Sequence, residues 1–146
     1  MWNFKSRYEY GAFSLHDCYV TGVVNNDANI ELHFSDGYWI SETNRQNLHE
    51  KTLRTDASCL MLLNANNEDA FFRGEKLCWN VFCSNINAGQ WRFECNVAHY
   101  KDDKFVIQGW LSMGDHANQP YPELCLWFAH QGLIYHWNAI REDRAW

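Results

Sequence analysis

A repeated rhythm of strands and turns, rich in aromatic residues, is the feature that most constrains how this chain can fold. The segment Asn29–Phe34 alternates polar and apolar residues, and a Ser-Asp-Gly turn follows it. Such alternation is typical of a half-buried β-strand. Similar segments recur along the chain, so the sequence predicts one all-β domain over residues 1–146. We expect a two-sheet antiparallel β-sandwich of roughly eight to ten short strands, with a partly closed β-barrel as the alternative.

The alternation assigns side chains to the two faces of the strand Asn29–Phe34. If Asp36-Gly37 closes a two-residue hairpin loop, Phe34 faces Trp39 across the hairpin. Glu31 and His33 then lie on the opposite face of the strand. The pattern therefore predicts an apolar inner face and a polar outer one at this point of the sandwich.

The segment Trp91–Val97 shows the clearest alternation in the chain and predicts that its odd-numbered residues, Val97 included, point inward. The turn Asp102-Asp103 leads into the next strand. A loop of three or five residues there keeps the apolar sides of both strands aligned, whereas a two-residue loop turns Trp110 inward. We expect the longer loop, which leaves Val106 and Trp110 on a far face that is covered or used.

Four further segments complete the predicted organisation. Leu77–Cys83 is apolar enough to predict a strand, and Ser84–Gly89 predicts a turn after it. Ser41–Asp56 and Ser112–Pro122 interrupt the rhythm and predict long irregular connections, which are often functional in compact domains.

The charge balance argues against several classes of partner. The formal net charge is −6, with 18 acidic against 12 basic residues. Nucleic acids and anionic membranes are bound through clustered basic residues, and the sequence contains no such cluster. We therefore expect neither to bind, whereas a partner with a basic surface would be attracted.

The cysteine pattern and the first residues predict a cytoplasmic protein. Residues 1–7 lack the apolar core of a signal peptide, and no apolar run approaches the length of a membrane span. The six cysteines include no Cys-x-x-Cys pair, and most lie in strand-like segments. Cysteine in such places behaves as a small buried hydrophobic residue, so we expect free thiols rather than disulfides.

The triplet His16-Asp17-Cys18 is the candidate catalytic site. In an extended strand, His16 and Cys18 point to the same face, where an imidazole can stabilise a thiolate. No third group that orients the imidazole can be assigned, so a strand with one buried cysteine is the competing interpretation. No cofactor is expected, because the chain contains no glycine-rich phosphate loop and no dinucleotide-binding fingerprint.

Ligand spacing typical of a metal site is also absent. The chain has seven histidines, but none forms a His-x-His or His-x-x-x-His pair. We therefore predict no metal site, although ligands from distant strands can still converge in a sandwich. Four carboxylates lack an evident partner for paired acid–base chemistry: Glu31, Glu94, Asp115 and Glu123.

The abundance of aromatic residues, at 16% of the chain, suggests a binding surface beyond what the core requires. The candidate ligand-binding residues are Trp110, Trp127, Tyr135 and Trp137. The competing interpretation is that these side chains pack in the hydrophobic core. The first hypothesis for function is a non-enzymatic interaction module that binds a protein partner or a second copy of itself. The alternatives are a pocket for a carbohydrate or an apolar ligand, and an enzyme that uses a metal or the His16–Cys18 pair.

Overall fold

The structure, a computed structural model, describes residues 1–114 and 123–146, which form fifteen strands and one α-helix. In chain order these are β1 (Phe4–Arg7), β2 (Phe13–Ser14), β3 (Cys18–Val20), β4 (Gly22–Asn26), β5 (Asn29–Phe34), β6 (Trp39–Ile40), β7 (Leu53–Thr55), β8 (Ser58–Leu62), β9 (Asn66–Phe72), β10 (Glu75–Lys76), α1 (Trp79–Asn87), β11 (Trp91–Lys101), β12 (Lys104–Met113), β13 (Glu123–Ala129), β14 (Leu133–Trp137) and β15 (Ile140–Ala145). Five strands have only two or three residues, so the longer strands match the predicted number. Most of the irregular segment predicted at Ser112–Pro122, with Asp115, lies outside the described residues.

Within the described residues the strands form three antiparallel sheets and no closed barrel, which confirms the predicted β-sandwich. The five-stranded sheet has the order β1-β14-β8-β5-β4, and the six-stranded sheet has the order β10-β9-β13-β12-β11-β3. A third sheet, β15-β7-β6-β2, was not predicted. The irregular segment predicted at Ser41–Asp56 contains one strand of this third sheet, β7, near its end.

All three sheets contribute to one hydrophobic core. Tyr135 of the five-stranded sheet lies at its centre and is fully buried. Its hydroxyl shares a 2.5 Å hydrogen bond with the hydroxyl of Tyr100 in the six-stranded sheet. Its ring stacks on Phe13 of the third sheet, with 3.9 Å between the ring centroids. Aromatic residues therefore join the sheets as well as fill the space between them.

The predicted alternation of β5 is confirmed, but the predicted hairpin between Phe34 and Trp39 is wrong. Phe34 lies opposite Ser58 of β8, and β6 pairs with the third sheet instead. Gly37 makes this change of sheet possible. It has a φ of 76°, and a Cβ atom there would lie 2.2 Å from the Thr55 carbonyl oxygen. Only glycine combines that backbone conformation with so close an approach.

The strand predicted at Leu77–Cys83 is wrong, because residues Trp79–Asn87 form the helix α1, which also replaces the turn predicted at Ser84–Gly89. The helix buries Phe82, Cys83 and Ile86, whose spacing of three and four residues is that of one helix face. Phe82 packs edge-on against Phe93, with 5.9 Å between the ring centroids. Burial of this apolar face against β11 stabilises a helix that has no side-chain cap at its start.

Candidate functional site

The outer side of the six-stranded sheet presents two rows of paired residues. Trp127 lies opposite Val106, and Val106 lies opposite His99. Residues that are directly opposed across strands point to the same side of a sheet. The neighbouring row consists of Val97, Gln108 and Cys125. We call the surface formed by these two rows the Trp127 face.

A β-bulge in β11 places Val97 on the Trp127 face. Cys95 pairs with Gly109 and Val97 pairs with Gln108, so Asn96 is an extra residue in β11. An extra residue reverses the orientation of every side chain after it, because side chains alternate with a period of two. The prediction that Val97 points inward is therefore wrong, and its side chain is 41% exposed.

The same bulge explains why a short loop between β11 and β12 still aligns the apolar sides of the two strands. Lys101 pairs with Lys104, so the loop has the two residues Asp102-Asp103 and not the expected three or five. A two-residue loop alone would turn Trp110 inward, but the extra residue restores the alignment of the apolar sides. Trp110 and Val106 consequently lie on the far face, as predicted.

Two tryptophans are exposed on this side of the sheet. Trp127 is 41% exposed and Trp110 is 38% exposed, whereas Val106 beside Trp127 is buried. Large apolar side chains that stay exposed together on a sheet face mark interaction sites more often than isolated ones do. The Trp127 face is therefore the candidate binding surface of the described part of the chain.

A cleft of about 480 Å³ opens on this face. Its lining residues are His99, Lys101, Lys104, Val106, Gln108 and Trp127. The lining contains basic, amide and apolar groups but no carboxylate. Lys104 forms an ion pair with Glu68, while Lys101 has no ion pair among the described residues. The lining of the cleft thus carries basic groups, while Asp69 of β9 lies directly opposite Trp127 on the same side of the sheet and forms an ion pair with Lys76.

The structure does not assemble a catalytic pair from His16 and Cys18. Asp17 adopts a positive φ of 57°, so the two residues flank a turn and do not share one face of a strand. The Cys18 thiol donates a 3.4 Å hydrogen bond to the main-chain oxygen of His16, while His16 Nδ1 lies 2.9 Å from the Asn96 carbonyl oxygen. Burial raises the pKa of the Cys18 thiol to about 12. Both polar groups are satisfied by the main chain, and the thiol is protonated at neutral pH.

The four aromatic candidates separate into two groups. Trp110 and Trp127 lie on the exposed side of the six-stranded sheet, whereas Tyr135 and Trp137 are fully buried in the core. The strand β14 belongs to the five-stranded sheet and turns its odd-numbered residues toward the other sheets. Tyr135 and Trp137 therefore contribute to packing and do not line a surface for a ligand.

The three predicted carboxylates that the structure describes, Glu31, Glu94 and Glu123, are not brought together as a catalytic pair. Glu94 and Glu123 lie on either side of Trp110 across β11, β12 and β13, and Glu94 accepts a 2.8 Å hydrogen bond from the Tyr19 hydroxyl. Glu31 lies on the other large sheet. There it comes together with His33 and Cys59, a combination able to hold a metal ion that sequence spacing did not indicate.

Comparison with protein families, with curated proteins and with solved structures found no match for this chain. Among the described residues, no helix is both long enough and apolar enough to cross a lipid bilayer.

Proposed function

We propose that this protein is an interaction module whose Trp127 face binds an apolar side chain of a partner protein, flanked on that partner by carboxylates. The exposed indole of Trp127, in a cleft that Lys101 also lines, is the observation that carries this proposal. Tryptophan is among the residues that contribute most to binding energy at protein interfaces. Its wide apolar surface loses little conformational entropy when a partner covers it.

The charge that favours a carboxylate on the partner is that of Lys101, because Lys104 is paired with Glu68, and Asp69 beside Trp127 is paired with Lys76. His99, Lys101 and Lys104 surround the opening, and the neighbouring Asp102 lines a different cleft on the other side of the loop. The basic partner suggested by the net charge would meet the acidic remainder of the surface and not this cleft. A carboxylate beside the bound apolar group could pair with the free Lys101 ammonium.

The extent of the exposed apolar surface favours a protein over a small ligand. The cleft volume alone falls within the range of roughly 300–1,000 Å³ that small molecules occupy. However, the exposed side chains continue beyond the cleft to Val97 and Trp110. A protein surface can cover that whole face, whereas a small molecule covers only the cleft.

All six cysteines are free, which supports a role in the reducing cytoplasm.

Selection from a random peptide library tests the proposal. We expect the selected peptides to carry an aromatic residue or leucine flanked by aspartate or glutamate. Trp127→Ala should weaken their binding by at least about 30-fold, the loss typical of an interface hot spot. Lys101→Glu should weaken binding further than Lys101→Gln, since it adds repulsion to the loss of an ion pair.

Trp146→Ala is the matched control, because Trp146 is also exposed but packs beside Trp39 near the third sheet. It should leave peptide binding unchanged. The proposal fails if no peptide is selected, or if Trp127→Ala binds the selected peptides as tightly as the unmodified protein does. If the protein binds indole acetate alone as tightly as it binds the selected peptides, the cleft is a small-ligand pocket. If it binds single-stranded DNA as tightly as the peptides, the cleft is a polyanion site.

A further inference from the structure

Four side chains able to bind metal lie on the outer side of the five-stranded sheet. Glu31 and His33 point outward from β5, since the residues that alternate with them are buried in the core. Cys59 of β8 lies directly opposite His33, and His136 of β14 lies directly opposite Cys59. Directly opposed residues are neighbours on one face, so these side chains form a compact group across three strands.

The three potential ligand atoms of Glu31, His33 and Cys59 all lie within 4.8 Å of one another. His33 Nε2 lies 2.9 Å from Glu31 Oε2. A tetrahedral ion with nitrogen and oxygen ligands at about 2.0–2.1 Å sets those atoms about 3.3 Å apart. Small side-chain rotations therefore suffice to place an ion between groups that already converge.

His136 supplies an independent observation at the same place. Among the described residues, its Nδ1 atom is the one buried side-chain nitrogen or oxygen without a hydrogen-bond partner. Buried polar atoms in folded proteins nearly always have a partner, so an unpaired ring nitrogen beside a thiol calls for an explanation. An imidazole nitrogen without a hydrogen bond is free to bind a metal ion.

Trp2 partly covers the group. Its ring lies over His136 at 6.4 Å between centroids, and near His33 at 6.3 Å. The Cys59 thiol is fully buried, and the nearby charges are the Glu31 carboxylate and Lys5, which lies opposite His136 on β1. The cover limits the access of water to the group, which strengthens the attraction between an ion and its ligands.

We propose that Glu31, His33 and Cys59 bind a divalent transition-metal ion, with zinc as the closest chemical fit. His136 lies opposite Cys59 but outside the group of atoms within 4.8 Å of one another, and it becomes the fourth ligand after its side chain rotates toward the ion. A set of thiolate, imidazole and carboxylate groups suits zinc, whereas magnesium and calcium select oxygen ligands. Binding replaces the hydrogen bond between Glu31 and His33 with two metal–ligand bonds. The proton of the Cys59 thiol is released to solvent as the metal–sulfur bond forms.

Titration of chelator-treated, reduced protein with cobalt(II) and then zinc(II) tests this proposal. We expect one cobalt ion per chain, with a thiolate-to-cobalt absorption band in the near ultraviolet that zinc abolishes. Cys59→Ala should remove the band. His33→Gln should lower the zinc affinity by more than the roughly 10–100-fold loss typical of residues that only orient a ligand.

Cys78→Ala is the control for zinc binding by an exposed thiol, and it should retain both the band and the affinity. If Cys59→Ala does not fold, Glu31→Gln and His33→Gln change half-buried residues and give the same test. The proposal is overturned if the unmodified protein binds no cobalt. It is also overturned if Cys78→Ala, and not Cys59→Ala, removes the band. The group lies on the opposite large sheet from the Trp127 face, so this result is independent of the proposed interaction.

Discussion

Gly109 lies directly opposite Cys95 at the last pair of the ladder before the bulge in β11. A Cβ atom at Gly109 would lie only 1.9 Å from the Glu94 carbonyl oxygen. The two strands therefore approach each other so closely that only glycine fits at this position. This close approach adjoins the bulge that turns Val97 outward onto the Trp127 face.

We expect Gly109→Ala to lower the free energy of unfolding by about 1–3 kcal/mol or more, since the added methyl group must displace main-chain atoms. Urea denaturation measures this loss. Gly22→Ala is the matched control in another strand, where a Cβ atom would make only ordinary contact, at 3.4 Å from the Cβ of His33. Equal stability of the two variants would contradict the account of the bulge.

The core and surface tryptophans should differ sharply in their effect on stability. Trp137 is fully buried and packs edge-on against Phe13, with 5.8 Å between the ring centroids. Trp137→Ala should therefore lower the free energy of unfolding by about 3–5 kcal/mol. Trp127→Ala should lower it by clearly less than Trp137→Ala does, because 41% of the Trp127 side chain is already exposed to solvent. A large loss in Trp127→Ala would show that this ring is structural.

Thiol reactivity should follow burial and not proximity to histidine. Cys78 is exposed, whereas Cys18 and Cys95 are fully buried. Burial raises the pKa of Cys18 to about 12 and holds the pKa of Cys95 well above its usual range, so neither forms a thiolate at neutral pH.

We expect DTNB to modify Cys78 rapidly and to modify Cys18 and Cys95 only after unfolding. Cys78→Ser should remove the fast phase. Rapid modification of Cys18 in the folded protein would contradict the assignment of this thiol to the core, and would restore the hypothesis of a catalytic cysteine.

Asp36 should make the stability depend on pH at the acidic end. Its carboxylate lies 2.6 Å from Arg144 and 3.6 Å from the buried Arg54. Partial burial works to raise the pKa of Asp36, but Arg144, Arg54 and Arg141 outweigh it and hold the pKa below its usual value. A lowered folded-state pKa stabilises the protein above the unfolded value of about 3.9, and this stabilisation is lost as the pH falls through the folded-state pKa.

We expect Asp36→Asn to lower the free energy of unfolding by about 0.5–1 kcal/mol at neutral pH, because its ion pairs are lost but Asp36 is 48% exposed and solvent screens them. The difference between the variant and the unmodified protein should shrink as the pH falls below about 4, where Asp36 first gains its proton in the unfolded chain, and should vanish below the lowered pKa of the folded protein. Urea denaturation across this pH range measures both effects. An equal difference at neutral and strongly acidic pH would contradict the role of the Asp36 charge.

Local alternation predicted the parts of the fold that depend on neighbouring residues. The faces of β5 follow directly from its period of two, so Glu31 and His33 were placed on the outer side correctly. The helix α1 was missed because aromatic residues and valine between Trp79 and Phe82 favour a strand, although the spacing of its buried residues fits a helix. Packing against β11 favours the helix over a strand, and this long-range contact cannot be read from the sequence of the segment itself.

The candidate sites depend on pairing between distant strands, which explains why the sequence indicated them only in part. Nothing at Asn96 distinguishes a bulge from a regular strand position, so the outward turn of Val97 could not be predicted. His33, Cys59 and His136 come from three strands far apart in the chain and meet only through sheet register. Trp127 was identified as a candidate from its residue type, and its exposure follows from the order of the sheet.

Fluorine NMR of protein labelled with fluorotryptophan tests the central claim most directly, with each signal assigned from a Trp→Phe variant. A selected acidic peptide is added stepwise. The account predicts that the Trp127 signal shifts most and the Trp110 signal less, while the signal of buried Trp137 stays unchanged. A Trp127 signal that does not move while the peptide binds would contradict the assignment of the Trp127 face as the interaction site.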